Sequence, residues 1–149
     1  MKDLHIRQMS AGDIPSVQEI ERECFLSAWS FDGYKNELLR DDSKALVVEM
    51  NDVIIGFAVM RLITSSDEAE ILNIAVSEKF QNQGIGALLW KEIDGFLKSN
   101  AVRSVWLEVR KSNFTAQAFY RRNGFAFCGE RKNFYTNPTE DALVMKLNL

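Results

Sequence analysis

Three β-branched-rich runs follow one another along the chain: ALVVEM (45–50), VIIGFAVMRLI (53–63) and EILNIAV (70–76). Asn51-Asp52 joins the first two as a hairpin signal, and TSSDE (64–68) turns the chain into the third. Only then comes QNQGIG (81–86), and after it a helical repeat at Ile85, Leu88, Leu89, Ile93 and Phe96 that carries a helix to about Lys98. Three strands before the first glycine-rich turn constrain the fold strongly. A dinucleotide-binding fold wants its glycines in the first βα unit. A nucleotide P-loop needs Lys and Ser/Thr where Ala87 and Leu88 stand.

The rest of the chain alternates periods in the same way. LHIRQ (4–8) reads as a short strand, and Asp13 as the N-cap of a helix with Pro15 in its first turn. Ile14, Val17, Ile20 and Cys24 form the apolar face of that helix. FLSAWS (25–30) connects to a second helix over about 31–40, with Ser30 as its cap. RSVWLEV (103–109) is a strand; SNFTAQAFYRRNG (112–124) is a helix opening near Ser112 or Asn113 and closing at Gly124. FAFCGERKNFY (125–135) and ALVMKLNL (142–149) close the chain as two strands. No repeat or low-complexity linker divides it, so residues 1–149 read as one mixed α/β domain.

Composition removes several classes of function. A net charge of −3 and a pI near 5.3 speak against a nucleic-acid binder and permit a basic partner. His5 is the one histidine, which removes a His-based triad or a two-histidine metal site. Cys24 and Cys128 are isolated, so neither a disulfide framework nor a thiolate-bound metal is expected. The longest apolar run, VIIGFAVM (53–60), is too short to span a bilayer, and MKDLHIRQMSAGD places charges where a secretion signal needs apolar residues. A cytoplasmic protein without membrane contact is the expectation.

A strand, a glycine turn and a helix start aim several backbone N–H groups and the helix dipole at one point. That cradle suits a pyrophosphate, although a glycine turn without ligand has the same sequence. Glu108 is either a carboxylate kept in an otherwise apolar strand for a purpose or one turned to solvent by alternation. Tyr120 is either a core aromatic beside Phe119 and Phe125 or a proton donor. Asn113 is at least an N-cap candidate, and Arg121 and Arg122 read as a solvated helix face.

EILNIAV, QNQGIG, LEVRKSNFTAQAFYRRNGF and the terminal EDALVM, in that order, resemble the GNAT family of N-acetyltransferases over nearly the whole chain. The resemblance implies a central mixed, mostly antiparallel seven-stranded sheet flanked by about four helices. It implies acetyl-coenzyme A as co-substrate and no metal. The loop Gln81, Asn82, Gln83, Gly84, Ile85 and Gly86 would hold the pyrophosphate, and backbone groups of Ile74, Ala75 and Val76 the thioester and pantetheine arm. Asn113 adds a contact to coenzyme A, Glu108 is the general base, and Tyr120 the acid that protonates the leaving thiolate. The branch it most resembles acetylates the N-terminal α-amino group of an alanine-starting ribosomal protein. Substrate choice would then fall to Trp29, Ser30, Tyr135, Glu140 and Asp141, an aromatic wall with carboxylates for a basic peptide. AWS at 28–30 departs from the PWS of many relatives and leaves that connection less rigid. Transfer to lysine side chains or small amines, and a non-catalytic acyl-coenzyme A module, are the alternatives.

Overall fold

A computed structural model describes residues 3–24 and 29–149. Its strands are β1 (Leu4–Gln8), β2 (Ser43–Met50), β3 (Val53–Ile63), β4 (Glu68–Val76), β5 (Ser104–Arg110), β6 (Ala126–Tyr135) and β7 (Glu140–Asn148). Its helices are α1 (Ile14–Cys24), α2 (Phe31–Leu38), α3 (Ile85–Ser99) and α4 (Phe114–Arg122), with short 3₁₀ turns at Ala11–Asp13 and Glu78–Phe80. The strands form one sheet in the order β1-β2-β3-β4-β5-β7-β6. Every neighbouring pair is antiparallel except β4–β5, which α3 bridges as a crossover. This is the mixed, mostly antiparallel seven-stranded sheet that the family resemblance implied.

Both faces of the sheet are covered, which explains the continuous apolar runs of β2 and β3. Leu46, Val48, Ala58 and Met60 pack with Leu89, Ile93 and Leu97 of α3, while Val47, Phe57 and Val59 pack with Ile14, Val17 and Ile20 of α1. At the β2–β3 hairpin, Asn51 and Asp52 take φ of 50° and 66°, the left-handed pair of a type I′ turn. Ser30 caps α2 as expected, its side chain accepting from Gly33 N at 2.9 Å. That helix ends at Leu38, short of the expected Arg40.

One expectation needs correction. Asp13 is not the N-cap of the first helix. Ser10 opens that segment three residues earlier, and the Asp13 carboxylate accepts from Ser10 N at 2.8 Å. Arg7 donates to both Asp13 oxygens, at 2.8 and 2.9 Å, and also to Glu49. Arg7 therefore ties β1 and, through Glu49, β2 to the carboxylate at the start of α1. Residues 25–28, including the Ala28 departure, lie outside the described residues. Among the described residues no helix is long and apolar enough to cross a membrane.

The site arises from one irregularity. Along β3–β4 the register runs Val59↔Asn73 and then Met60↔Ile71, so Leu72 is an extra residue on β4. The β4–β5 pairing stops at Ile71↔Leu107, although β4 continues to Val76 and β5 to Arg110. Past the bulge the two strands part and leave a cleft in the middle of the sheet.

Candidate active site

Two cavities meet in this cleft. The smaller, about 300 Å³, is walled by Trp29, Glu70, Asn73, Glu108, Phe134 and Tyr135, with Glu21 at its floor. The larger, about 750 Å³, runs from Ile74 and Val76 along Gln81, Asn82, Gly84, Gly86 and Ala87 to Asn113, Phe119 and Arg122. Ile74, Ala116 and Tyr120 line both. A group entering from one side thus meets a group from the other beside Tyr120.

The larger cavity has the character of an anion cradle. Gly84 is the N-cap of α3 at φ +83°, and no side chain caps that helix. The first N–H groups of α3 therefore lack intrahelical acceptors. A Cβ built on Gly84 would meet nothing within 4 Å, so the space over this turn is open. Gly86 differs, since a Cβ there would stand 2.9 Å from Phe119 Cε1. Gln81 secures the loop by donating from Nε2 to Val76 O at 2.9 Å, and Gln83 donates to Lys79 O at 3.2 Å. Ile85 buries its side chain in the core, and neither Gln83 nor Ile85 lines the cavity.

On β4, strand alternation sorts the three expected backbone groups. Ser77 N donates to Ile55 O on the β3 side, while Val76 O accepts from Gln81 Nε2 and Cys24 Sγ on the cleft side. Period two then turns the N–H groups of Ile74 and Val76 into the cleft and that of Ala75 towards Phe57, its partner on β3. Asn113 caps α4, its side chain accepting from Ala116 N at 3.1 Å, and it also lines the larger cavity. Cys24 is in the wall, but burial, with Glu23 and Glu78 nearby, pushes its thiol up to about 11. It is protonated and unsuited to attack.

Glu108 faces the smaller cavity. Val105, Leu107 and Val109 point to the core, so alternation sends Glu108 to the opposite face, where its side chain is 21% exposed and Arg131 Nε lies 3.6 Å away. Tyr120 is 6% exposed, wedged between the rings of Phe119 and Phe125 at 5.6 Å each. Burial raises its phenol well above the ordinary value, with the nearby Tyr135 adding to the effect. The proton is held at neutral pH. No described residue accepts from or donates to its hydroxyl.

Of the expected substrate-side residues, Trp29 and Tyr135 line the smaller cavity, and Arg110 stacks on the Tyr135 ring at 4.3 Å. Ser30 is exposed and engaged in capping α2, outside both cavities. Glu140 accepts from Ser112 N and Arg110, and Asp141 from Lys132 and Asn133 N. These contacts hold both carboxyls below the usual range, led by the Ser112 bond for Glu140 and the Asn133 N–H for Asp141. Asp141 orders the β6–β7 hairpin, Glu140 ties the start of β7 to the end of β5 and the turn after it, and neither lines these two cavities. Sequence reasoning missed Glu21, Glu70 and Asn73. Glu21 left a signal, since it continues the apolar stripe of Ile14 and Val17 at helical spacing. Burial raises the Glu70 carboxyl, the Glu108 charge adding to it.

The strand β4 thus leaves its parallel neighbour over an uncapped helix start, with the buried Tyr120 at the junction of the two cavities. The chain belongs to the Acetyltransferase (GNAT) family, whose pattern it matches over residues 14–125. It is 38% identical over 143 residues to the [ribosomal protein bS18]-alanine N-acetyltransferase of Haemophilus influenzae, covering 94% of this chain and 95% of that protein. The crystal structure of the ribosomal-protein-S18-alanine N-acetyltransferase from Escherichia coli superposes with a TM-score of 0.85 at 31% identity, over 97% of this chain and 93% of that one. Ard1 from Thermoplasma volcanium gives 0.88 at 27% identity, over 98% and 97%.

Proposed function

We propose that residues 1–149 act as one N-acetyltransferase domain that moves the acetyl group of acetyl-coenzyme A to the N-terminal α-amino group of an alanine-starting ribosomal protein, as the names of its bS18-acetylating relatives suggest. The observation that carries this reading is the meeting of two cavities at Tyr120, one shaped for a phosphate-bearing arm and one acidic and aromatic. Acetyl-coenzyme A, when bound, supplies the acetyl group as a thioester. The α3 start with Gln81, Asn82, Gly84 and Gly86 receives its pyrophosphate, and the N–H groups of Ile74 and Val76 face the arm and the carbonyl.

Glu108 takes the proton of the attacking amine, directly or through water, as the C–N bond forms. Tyr120 gives its proton to the departing sulfur as the C–S bond breaks, and recovers one from solvent. Trp29 and Tyr135 flank the entering peptide. Glu70 and Glu108 give its cavity a negative character that suits a basic N-terminal segment.

Amine chemistry supports the same acceptor. An α-amino group has a pKa near ~8 and a lysine side chain near ~10.4, so neutralising lysine at pH 7 costs about 3 kcal/mol more. One carboxylate base matches the easier proton.

The test is a rate profile on an alanine-starting ribosomal peptide and on its N-terminally blocked form carrying an internal lysine. Glu108→Gln should lower kcat/KM on the free peptide by about 10²-fold or more, with part of the loss restored at higher pH. Tyr120→Phe should lower kcat by about 10²–10⁴-fold and leave acetyl-coenzyme A affinity unchanged. Equal rates on the blocked peptide would defeat the N-terminal reading. Near-normal turnover in either variant would remove that residue from its role.

A further inference from the structure

We propose that Glu21 is a positioning residue for the acceptor, holding Trp29 and Asn73, two walls of the smaller cavity, in place. The inference rests on the reading of that cavity as the peptide-amine site. Glu21 sits on α1 and is 1% exposed. One carboxylate oxygen accepts from Trp29 N at 3.0 Å, and the other from Asn73 Nδ2 at 3.0 Å. The Tyr34 hydroxyl of α2 interacts with it as well and accepts from Asn73 Nδ2 at 3.4 Å.

Gln18 Nε2 also donates to Trp29 O at 3.2 Å and the Trp29 ring meets that of Tyr34 at 5.1 Å, but the Glu21 carboxylate is the group that accepts from both Trp29 and Asn73. Trp29 belongs to the connection between α1 and α2. Asn73 follows the extra residue Leu72, on the stretch of β4 that has left β5. One carboxylate therefore links the loop wall to the strand wall where the amine must arrive. Packing alone does not ask for it, because the α1 stripe is otherwise Ile14, Val17 and Ile20, all apolar. A buried carboxylate without a paired cation is costly and needs donors on both oxygens. Burial accordingly pushes its carboxyl up to about 6, while Tyr34, the Trp29 N–H, Asn73 and the neighbouring Arg22 pull it back. It is ionised at neutral pH, and both oxygens are occupied by protein donors. It acts through Trp29 and Asn73 and not on the substrate.

An exchange of partners isolates this role. Glu21→Gln removes the charge and turns an amide N–H towards Asn73. The Asn73 amide must rotate to accept it and so takes its Nδ2 away from the Tyr34 hydroxyl. Asn73→Asp sets two carboxylates together. Glu21→Gln/Asn73→Asp restores one donor against one acceptor. Each single variant should raise KM for the alanine-starting peptide about 10-fold or more, the effect of breaking one buried charged hydrogen bond. Its kcat and its acetyl-coenzyme A affinity by calorimetry should stay within about 2-fold of wild type, and the double exchange should return KM to the same range. In protein labelled with 5-fluorotryptophan, the Trp29 ¹⁹F signal should move in the singles and return in the double. A folded single variant with wild-type KM, or a double variant as impaired as the two singles added, overturns the proposal. If a single variant shows no cooperative melt, KM of the double decides alone, normal in support and raised in refutation. Wild-type enzyme silent on the peptide would defeat the acceptor reading first and this one with it. An active wild type with unmoved KM in the variants defeats this one only.

Discussion

Gly84 and Gly86 stand two residues apart and are glycine for different reasons. Gly84 has φ +83° and open space where a Cβ would go, so a side chain there is strained and projects over the cradle. Gly86 has a helical backbone, and its missing Cβ makes room for the Phe119 ring. Gly84→Ala should therefore cost about 1 kcal/mol of stability from the left-handed conformation while weakening acetyl-coenzyme A at least several-fold. Gly86→Ala should cost about 1–3 kcal/mol by overpacking α3 against α4, and Phe119→Leu in the same chain should recover part of it. Urea midpoints and calorimetry on the three variants separate the two. A Gly86→Ala protein of wild-type stability would show that the loop, and not the helix contact, demands that glycine. The sequence presented both as one motif, because a close helix approach and a close ligand approach ask for the same residue.

At the scale of elements, α4 matters because it carries Tyr120 into the junction of the cavities. Its start depends on Asn113, which caps Ala116 N and faces the larger cavity with the rest of its amide. Asn113→Ala should lower stability by about 1 kcal/mol through the lost cap and also weaken acetyl-coenzyme A. Asn113→Ser should keep the cap and therefore the stability. If its affinity falls like that of the alanine variant, the amide itself meets the ligand; wild-type affinity would leave Asn113 as a cap alone. The elements were legible where period and punctuation agree: Asn51-Asp52 closed its hairpin, and Gly124 ended α4 with φ +98°. Asp13 misled because Asp serves equally as an N-cap and as a third-position partner of Ser10, and only the place of Arg7 decides between them. The bulge at Leu72 was not legible, since EILNIAV reads as uniform strand and the extra residue exists only against the register of β3. With the bulge hidden, the convergence of Glu21, Glu70 and Asn73 was hidden too.

For the whole molecule, two carboxylates pull the pH dependence of stability in opposite directions. Asp13 is held at about 2 from an unfolded value of 3.8, with Arg7 as the main cause. Its contribution of about 2 kcal/mol is present above pH 3.8 and lost as pH falls through about 2. Arg7 is charged in both states, so the pH dependence of that pair lies with Asp13. Glu21 has the reverse sign. Burial raises it from 4.5 to about 6, so the folded state holds its proton longer than the unfolded chain does. Its contribution, again about 2 kcal/mol, is complete below pH 4.5 and lost as pH rises through about 6. Glu70 is raised in the same direction. Stability should therefore peak near pH 4–5 and be lower at pH 7.5, and Glu21→Gln, which cannot titrate, should flatten that decline. Activity should run the other way, because the acceptor amine arrives neutral only as pH approaches its pKa near ~8. Ionised Glu21 is thus the form in which the fold gives up stability and the acceptor walls are fixed. Urea titrations of wild type and Glu21→Gln between pH 4 and 8, beside a kcat/KM profile, test both halves. A wild-type stability that climbs from pH 5 to 7.5, or a decline that persists unchanged in Glu21→Gln, would remove Glu21 as its source.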